Sequence, residues 1–328
     1  MRKAAIEDRT GRDNGQDARV MDKSNGFGSG GVDAAGVLDS RLLPDSDFAA
    51  QWEAVILESS QKDHLLAQAI LNFTLRGKVN RSKLPLHGLI VLHGPPGTGK
   101  TSLARGLASR TVEAIRNLGQ FRYIEVEPHA LTGAALGKSQ RAVRDLLGQT
   151  VAEQAERGPL IVLLDEVETL AADRSRMSLD ANPIDVHRAT DAVLAQLDQL
   201  AANYPHLLFI ATSNFTRAVD GAFMSRADLI ENIGMPGSEA CRAILRSAVE
   251  ELAKSFPTTA RILKDAEFKR AATHCVGLDG RRIRKLVVSA CGLNKQTALD
   301  PNKLSAADIL EAAIQAQDEF KLFAEGKS

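Results

Sequence analysis

Short apolar runs and amphipathic stretches alternate through the middle of the chain. The runs are Gly-Leu-Ile-Val-Leu-His at 88–93, Phe-Arg-Tyr-Ile-Glu-Val at 121–126, Pro-Leu-Ile-Val-Leu-Leu-Asp at 159–165 and His-Leu-Leu-Phe-Ile-Ala-Thr-Ser-Asn at 206–214. A weaker fifth run, Ala-Asp-Leu-Ile-Glu-Asn-Ile, covers 227–233. Between them lie segments with apolar residues at helical spacing, including 136–156 and 186–203; a further one at 48–77 carries Leu65, Leu66, Ile70 and Leu71. Buried runs of this length alternating with helices predict a parallel sheet covered on both faces.

The pattern changes at both ends. Residues 1–46 are dominated by Gly, Asp, Asn, Ser and Arg, with Gly-Phe-Gly-Ser-Gly-Gly at 26–31. Such a segment buries too little surface to offset its ordering entropy, so it is expected to be a flexible tail. After Met235-Pro236 the strand pattern stops, and stretches such as 239–256 and 304–323 are helical throughout. The expected organisation is a tail at 1–46, a large αβα domain at 47–236 and a helical lid at 237–328.

Composition narrows the class. The chain balances 41 Lys+Arg against 41 Asp+Glu, and 44% of its residues are hydrophobic. Zero net charge speaks against a protein that coats nucleic acid electrostatically. No apolar run reaches the ~18–20 residues that cross a bilayer, and the charged N-terminus lacks a signal-peptide apolar region. Cys241, Cys275 and Cys291 lie far apart, outside metal-ligand spacing, and read as idle thiols in a reducing cytosol. A cytoplasmic location is the expectation.

The chemistry begins at Gly94-Pro95-Pro96-Gly97-Thr98-Gly99-Lys100-Thr101, followed by Ser102, which fits a phosphate-binding loop at every position between a strand and a helix. Glycine lets backbone amides approach phosphate, the next helix adds its positive N-terminal end, Lys100 suits the β- and γ-phosphates, and Thr101 suits Mg²⁺. Asp165 and Glu166 directly follow an apolar run, at the strand edge where open α/β sheets bind ligands. Asp165 there suits Mg²⁺ and Glu166 suits activation of water, unless the two merely open a turn. Glu168 is a weaker candidate for the same role and reads rather as a solvated helix residue. Asn214 closes another run, placed either to bond a γ-phosphate or water or to act as a turn residue.

These residues, in this order, resemble the AAA+ ATPases. The stretches at 165–170, 182–188 and 212–214, with Ala-Phe-Met-Ser-Arg-Ala-Asp at 222–228 and Gly-Leu-Asp-Gly-Arg-Arg at 277–282, resemble one subfamily. It is that of pachytene checkpoint protein 2 and thyroid receptor-interacting protein 13, which remodel HORMA-domain proteins. The resemblance implies a P-loop NTPase with a five-stranded parallel αβα sandwich and a small helical lid. It further implies homo-hexameric rings and an ATPase using ATP and Mg²⁺. Arg226 would be the arginine finger for a neighbouring subunit, or else a surface salt-bridge residue. Arg281 would be the sensor reaching nucleotide from the lid, with Arg284 as its substitute. The cluster of Arg281, Arg282, Arg284 and Lys285 could otherwise be a solvated face or a nucleic-acid patch. Arg188 would lie near a subunit boundary.

Two departures qualify the resemblance. The folded N-terminal domain of eukaryotic relatives has no counterpart in the 46 residues before the ATPase module. The short form resembles bacterial relatives that act beside HORMA proteins and nucleotidyltransferase synthases of second messengers in antiphage defence. The aromatic grip of the first pore loop is replaced by Ala134, Ala135, Leu136 and Gly137, unless 127–140 is a plain connection. The expected function is thus an ATP-driven remodeller that opens or disassembles HORMA-domain proteins as a negative regulator of antiphage signalling. The alternative is a nucleic-acid-associated ATPase of clamp-loader or helicase-loader type.

Overall fold

The structure, a computed structural model, describes residues 31–32, 34–127, 138–169, 171, 183–215 and 219–325. The first 30 residues of the expected tail, the substituted pore-loop positions 134–137 and Asn182 fall outside the described residues.

The five expected parallel strands are present: β2 (Leu89–His93), β3 (Phe121–Val126), β4 (Leu160–Leu164), β5 (Leu207–Ser213) and β6 (Leu229–Asn232). A further strand, β1 (Val37–Leu43), pairs antiparallel with β3, giving six strands in the order β1-β3-β4-β5-β2-β6. The expected tail is therefore corrected over its last ten residues. Val37 to Leu43 satisfy their backbone on β3, with Leu43 opposite Phe121, and bury Ser40 and Leu43. Composition alone misses this because the ladder is long-range and three of the seven strand residues are polar. The outer strand also carries an ion pair, Arg41 to Asp39 at 2.6 Å, and charge on an exposed edge discourages pairing with another chain.

The apolar runs are continuous because both faces of the sheet are covered. Leu89, Val91, Val162, Leu164 and Phe209 pack one way, against α4 (Lys138–Asp145) and α6 (Pro183–Asn203). Ile90, Leu92, Ile161, Leu163 and Ile210 pack the other way, against α1 (Ser46–Ala54), α2 (Ser59–Leu75) and α3 (Lys100–Ala114). The α4 helix runs on through a π turn at Leu146–Val151 into α5 (Ala152–Glu156). One expected long helix at 48–77 is two. The break at Val55–Glu58 bends the chain so that Ile56 packs on the C-terminal core instead.

The C-terminal part has that core to itself. After the short α7 (Gly221–Met224), the helices are α8 (Ser238–Ser255), α9 (Ala266–His274), α10 (Gly280–Gly292), α11 (Lys295–Leu299) and α12 (Ala306–Glu325). They enclose Leu245, Val249, Phe268, Ile283, Leu286 and Ile309. Cys241 and Cys275 are free thiols buried in the same core, and burial raises the pKa of both, Cys275 up to about 12, which disfavours the reactive thiolate. Among the described residues, no helix is long and apolar enough to cross a membrane.

The Asp228 carboxylate joins β6 to the start of β2, accepting from the backbone N–H of His87, Gly88 and Leu89 at 3.0, 2.6 and 3.2 Å. Asp228→Ala removes an acceptor shared by three half-buried donors. It is expected to lower stability by about 1–3 kcal/mol, read as a lower urea midpoint at unchanged slope.

Candidate active site

The loop leaving β2 emerges at the C-terminal edge of the sheet. There Gly94 donates its N–H to the Ser213 carbonyl at 3.2 Å. Its backbone passes so close to β6 that a Cβ on Gly94 would lie 2.1 Å from the Ile233 carbonyl oxygen. Gly97, at φ 82°, passes the lid equally closely, and a Cβ there would fall 2.4 Å from Asp279 Oδ1. Gly99 caps α3 in the left-handed conformation, at φ 93°, which costs glycine nothing. The result is a bare backbone turn in front of a helix N-terminus, a shape that accepts an anion.

Lys100 opens α3 and is only 5% exposed. Its ammonium donates to the carbonyls of Gly94 and Pro95, both at 2.9 Å, and to Asn214 Oδ1 at 2.8 Å. Burial lowers its pKa, against the raising influence of Glu168, Asp165 and Glu166. The next residue, Thr101, donates its hydroxyl to Asp165 at 2.8 and 3.1 Å to the two oxygens. Thr98 and Ser102 complete the turn; Thr98 Oγ1 donates to Pro95 O at 3.0 Å, and Ser102 lines the cavities described below.

Asp165 sits just past β4, beside β5, because Leu164 pairs with Ala211. That register sets Thr212 next to it, and Thr212 Oγ1 donates to Asp165 Oδ1 at 2.5 Å while accepting the Glu166 N–H at 3.1 Å. Glu166 adopts φ 52°, the one described non-glycine residue with positive φ. Such a conformation costs of order 1–3 kcal/mol and persists only where the surroundings enforce it. Here the Thr212 bond holds its N–H, and the Thr169 N–H caps its carbonyl at 3.0 Å. The reversal turns the Glu166 side chain outward, where its Oε1 accepts from Asn214 Nδ2 at 3.2 Å. Glu168 is corrected from a solvated residue. Its Oε1 accepts the Asn214 backbone N–H at 3.0 Å, and its Oε2 is buried.

Lys100, Thr101, Asp165, Glu166, Asn214 and Arg281 thus share one polar cavity of about 160 Å³, together with Pro96, Gly97, Gly99 and Ser102. A larger pocket of about 820 Å³ adjoins it, walled by the Val55–Glu58 break, the 234–240 segment and the lid, and shares Gly97, Gly99, Ser102 and Arg281 with it. Arg281 reaches both from α10, and its N–H donates to the Gly97 carbonyl at 3.2 Å. Arg284 bridges lid and sheet domain differently, donating to Gly280 O at 3.3 Å and to the carbonyl of Ala54. Arg282 pairs with Asp279 at 3.2 Å and stacks over Phe320, so the basic cluster is not one open patch.

Arg226 is not brought to this cavity. It lies beyond α7, with Nε and Nη2 donating to the two oxygens of Asp198 at 2.8 and 2.7 Å and Nη1 to Ala222 O at 2.7 Å. That hydrogen-bonded guanidinium holds the Asp198 carboxyl below the usual carboxylate range. Within one chain Arg226 is the salt-bridge residue. Sequence reasoning assigned no role to Thr212, Asp198 or the Val55–Glu58 wall, and it set Glu168 in solvent. Only Thr212 left a usable sign, a hydroxyl two residues before Asn214 on the strand paired with the acidic one.

Thr212→Val keeps the shape of the side chain but leaves the Glu166 N–H without its acceptor and takes one of two donors from Asp165 Oδ1, which keeps Thr101. The expected cost is about 1–3 kcal/mol, read as a lower midpoint in urea unfolding.

Residues 90–235 match the ATPase family associated with various cellular activities (AAA). CD-NTase-associated protein 6 of Pseudomonas aeruginosa is 55% identical over 282 residues, 86% of this chain and 92% of the relative. The solved structure of C. elegans PCH-2 superposes with a TM-score of 0.67 at 27% identity, over 87% of this chain and 76% of that one. A chain of the solved HORMA:CdnC:Trip13 complex of E. coli MS115-1 shares the fold, with a TM-score of 0.64 at 17% identity over 85% of this chain and 95% of that one. The identity and coverage suffice to place the protein: it belongs to the AAA ATPases, in the group that includes CD-NTase-associated protein 6 and the pachytene checkpoint protein 2 homologues.

Proposed function

We propose that this chain is an ATP-driven remodeller that opens or disassembles a HORMA-domain protein. It would work as a homo-hexamer in the cytoplasm and restrain a nucleotidyltransferase of antiphage signalling through that HORMA protein. The observation that carries the ATPase reading is the convergence of Lys100, Thr101, Asp165, Glu166 and Asn214 on one polar cavity at the sheet edge. The HORMA partner is supported by the 55% identity to a CD-NTase-associated protein and by fold likeness to a chain of a HORMA:CdnC:Trip13 complex.

Each residue then has a task. The backbone of 94–99 and the Lys100 ammonium hold the phosphates of ATP, and the lysine exchanges its carbonyl partners for phosphate oxygens. Thr101 and Asp165 fit Mg²⁺, since they offer two hard oxygen donors already 2.8 Å apart. When bound, Mg²⁺ neutralises charge on the phosphate oxygens. Glu166 accepts the proton of the attacking water, and Asn214 holds that carboxylate by its amide. Arg281 links the phosphate cavity to the lid. The adjoining pocket has walls on both the sheet domain and the lid, so nucleotide there bridges the two and its hydrolysis alters how they are held together. Arg226 lines neither described cavity of its own chain; by the family resemblance its guanidinium would leave Asp198 and act at the site of the adjacent subunit in the ring, offsetting charge that develops in phosphoryl transfer.

Lys100→Ala is expected to abolish binding of a fluorescent ATP analogue, and unchanged affinity would refute the loop assignment. Glu166→Gln is expected to bind ATP and slow its hydrolysis by about 10²–10⁴-fold. With ATP present it should retain a HORMA-domain protein in a pull-down; an empty bead with active wild-type ATPase would sink the remodelling reading. Arg226→Ala should bind ATP without turnover, and mixing it with Lys100→Ala subunits should restore part of the rate if the finger acts between subunits.

A further inference from the structure

Glu168 makes contacts in this site that phosphate and metal binding do not account for. We propose that Glu168 is a positioning residue: it anchors the Asn214 backbone and thereby aims the amide that joins Lys100 to Glu166. The proposal rests on the nucleotide-site reading above and adds to it a carboxylate that never touches the reacting atoms.

Glu168 belongs to the single turn Val167–Thr169 that follows the reversed Glu166, whereas Asn214 ends the neighbouring strand β5. One carboxylate oxygen crosses between them to accept the Asn214 N–H at 3.0 Å. Beyond Asn214 the chain leaves the sheet, and no ladder bond to β4 holds that N–H in place. A bond to an ionised acceptor is stronger than a neutral one, so the carboxylate substitutes for the missing strand partner. The amide it steadies has two different ends. Its oxygen accepts a hydrogen bond from the Lys100 ammonium at 2.8 Å, and its nitrogen donates to Glu166 at 3.2 Å. A flipped or displaced amide would set donor against donor at the lysine and acceptor against acceptor at the glutamate.

The second oxygen of Glu168 points the same way. It is buried without a hydrogen-bond partner among the described residues, a cost that a plain turn residue would avoid. Of the nearby acids, Glu168 also exerts the largest pull on the Lys100 charge. One side chain therefore holds the asparagine backbone while its charge acts on the lysine.

The test is steady-state ATP hydrolysis by the full chain. Glu168→Ala is expected to lower kcat by about tenfold, as loss of a supporting group commonly does, while KM for ATP stays within about twofold. Glu168→Gln keeps an acceptor oxygen and should retain most of kcat. Because Glu168 acts through Asn214, the double variant with Asn214→Ala should be no slower than Asn214→Ala alone. Wild-type kcat in Glu168→Ala, equal loss in Glu168→Gln, or additive losses in the double variant would each overturn the proposal. If Glu168→Ala does not fold by circular dichroism, Glu168→Asp decides, since it keeps the charge and withdraws the acceptor: reduced kcat at unchanged KM supports the proposal and wild-type kcat overturns it. Glu166→Gln is the control. Full turnover there would mean that the nucleotide-site reading has failed, whereas a dead Glu166→Gln beside a normal Glu168→Ala would remove the Glu168 role alone.

Discussion

The Asp165 carboxylate is the point on which the site depends. It accepts from Thr101 on the phosphate-loop helix and from Thr212 on the adjacent strand, so one anion ties α3, β4 and β5 together at the sheet edge. Thr212 in turn holds the Glu166 N–H and helps enforce a backbone conformation that glutamate does not choose for itself. Parallel pairing is what makes this possible. It sets the ends of neighbouring strands at one edge, where side chains far apart in sequence meet.

The lid is coupled to this edge through backbone more than through charge. Gly97 passes within reach of Asp279, and its carbonyl accepts from Arg281 N–H, so the phosphate loop and the first turn of α10 are in direct contact. Arg284 binds the Ala54 carbonyl at the end of α1, and Ile56 inserts into the lid core. The pocket between the two parts therefore has walls that belong to separate hydrophobic cores.

Much of this was legible in the chain. Four of the apolar runs became parallel strands covered on both faces, the weaker fifth became the half-exposed edge strand β6, and the glycine-rich loop with its acidic pair arrived at one cavity. The strand at Val37–Leu43 was hidden in polar composition, since its stability comes from a ladder to residues about 80–90 positions away. Glu168 was hidden for a related reason. Its partner lies 46 residues on, and a glutamate after a strand looks the same whether it faces water or an asparagine.

Residue type and local order by themselves determined the alternation of strand and helix, the phosphate-loop turn and the identity of the acids beside it. These follow from side-chain periodicity and from the steric freedom of glycine, which act over a few residues. Tertiary structure alone decided which polar groups face one another: Thr212 with Asp165, Asn214 between Lys100 and Glu166, and Arg226 with Asp198 away from its own cavity. Hydrogen bonds require partners within about 3 Å, and strand register and helix packing bring such partners together from across the chain.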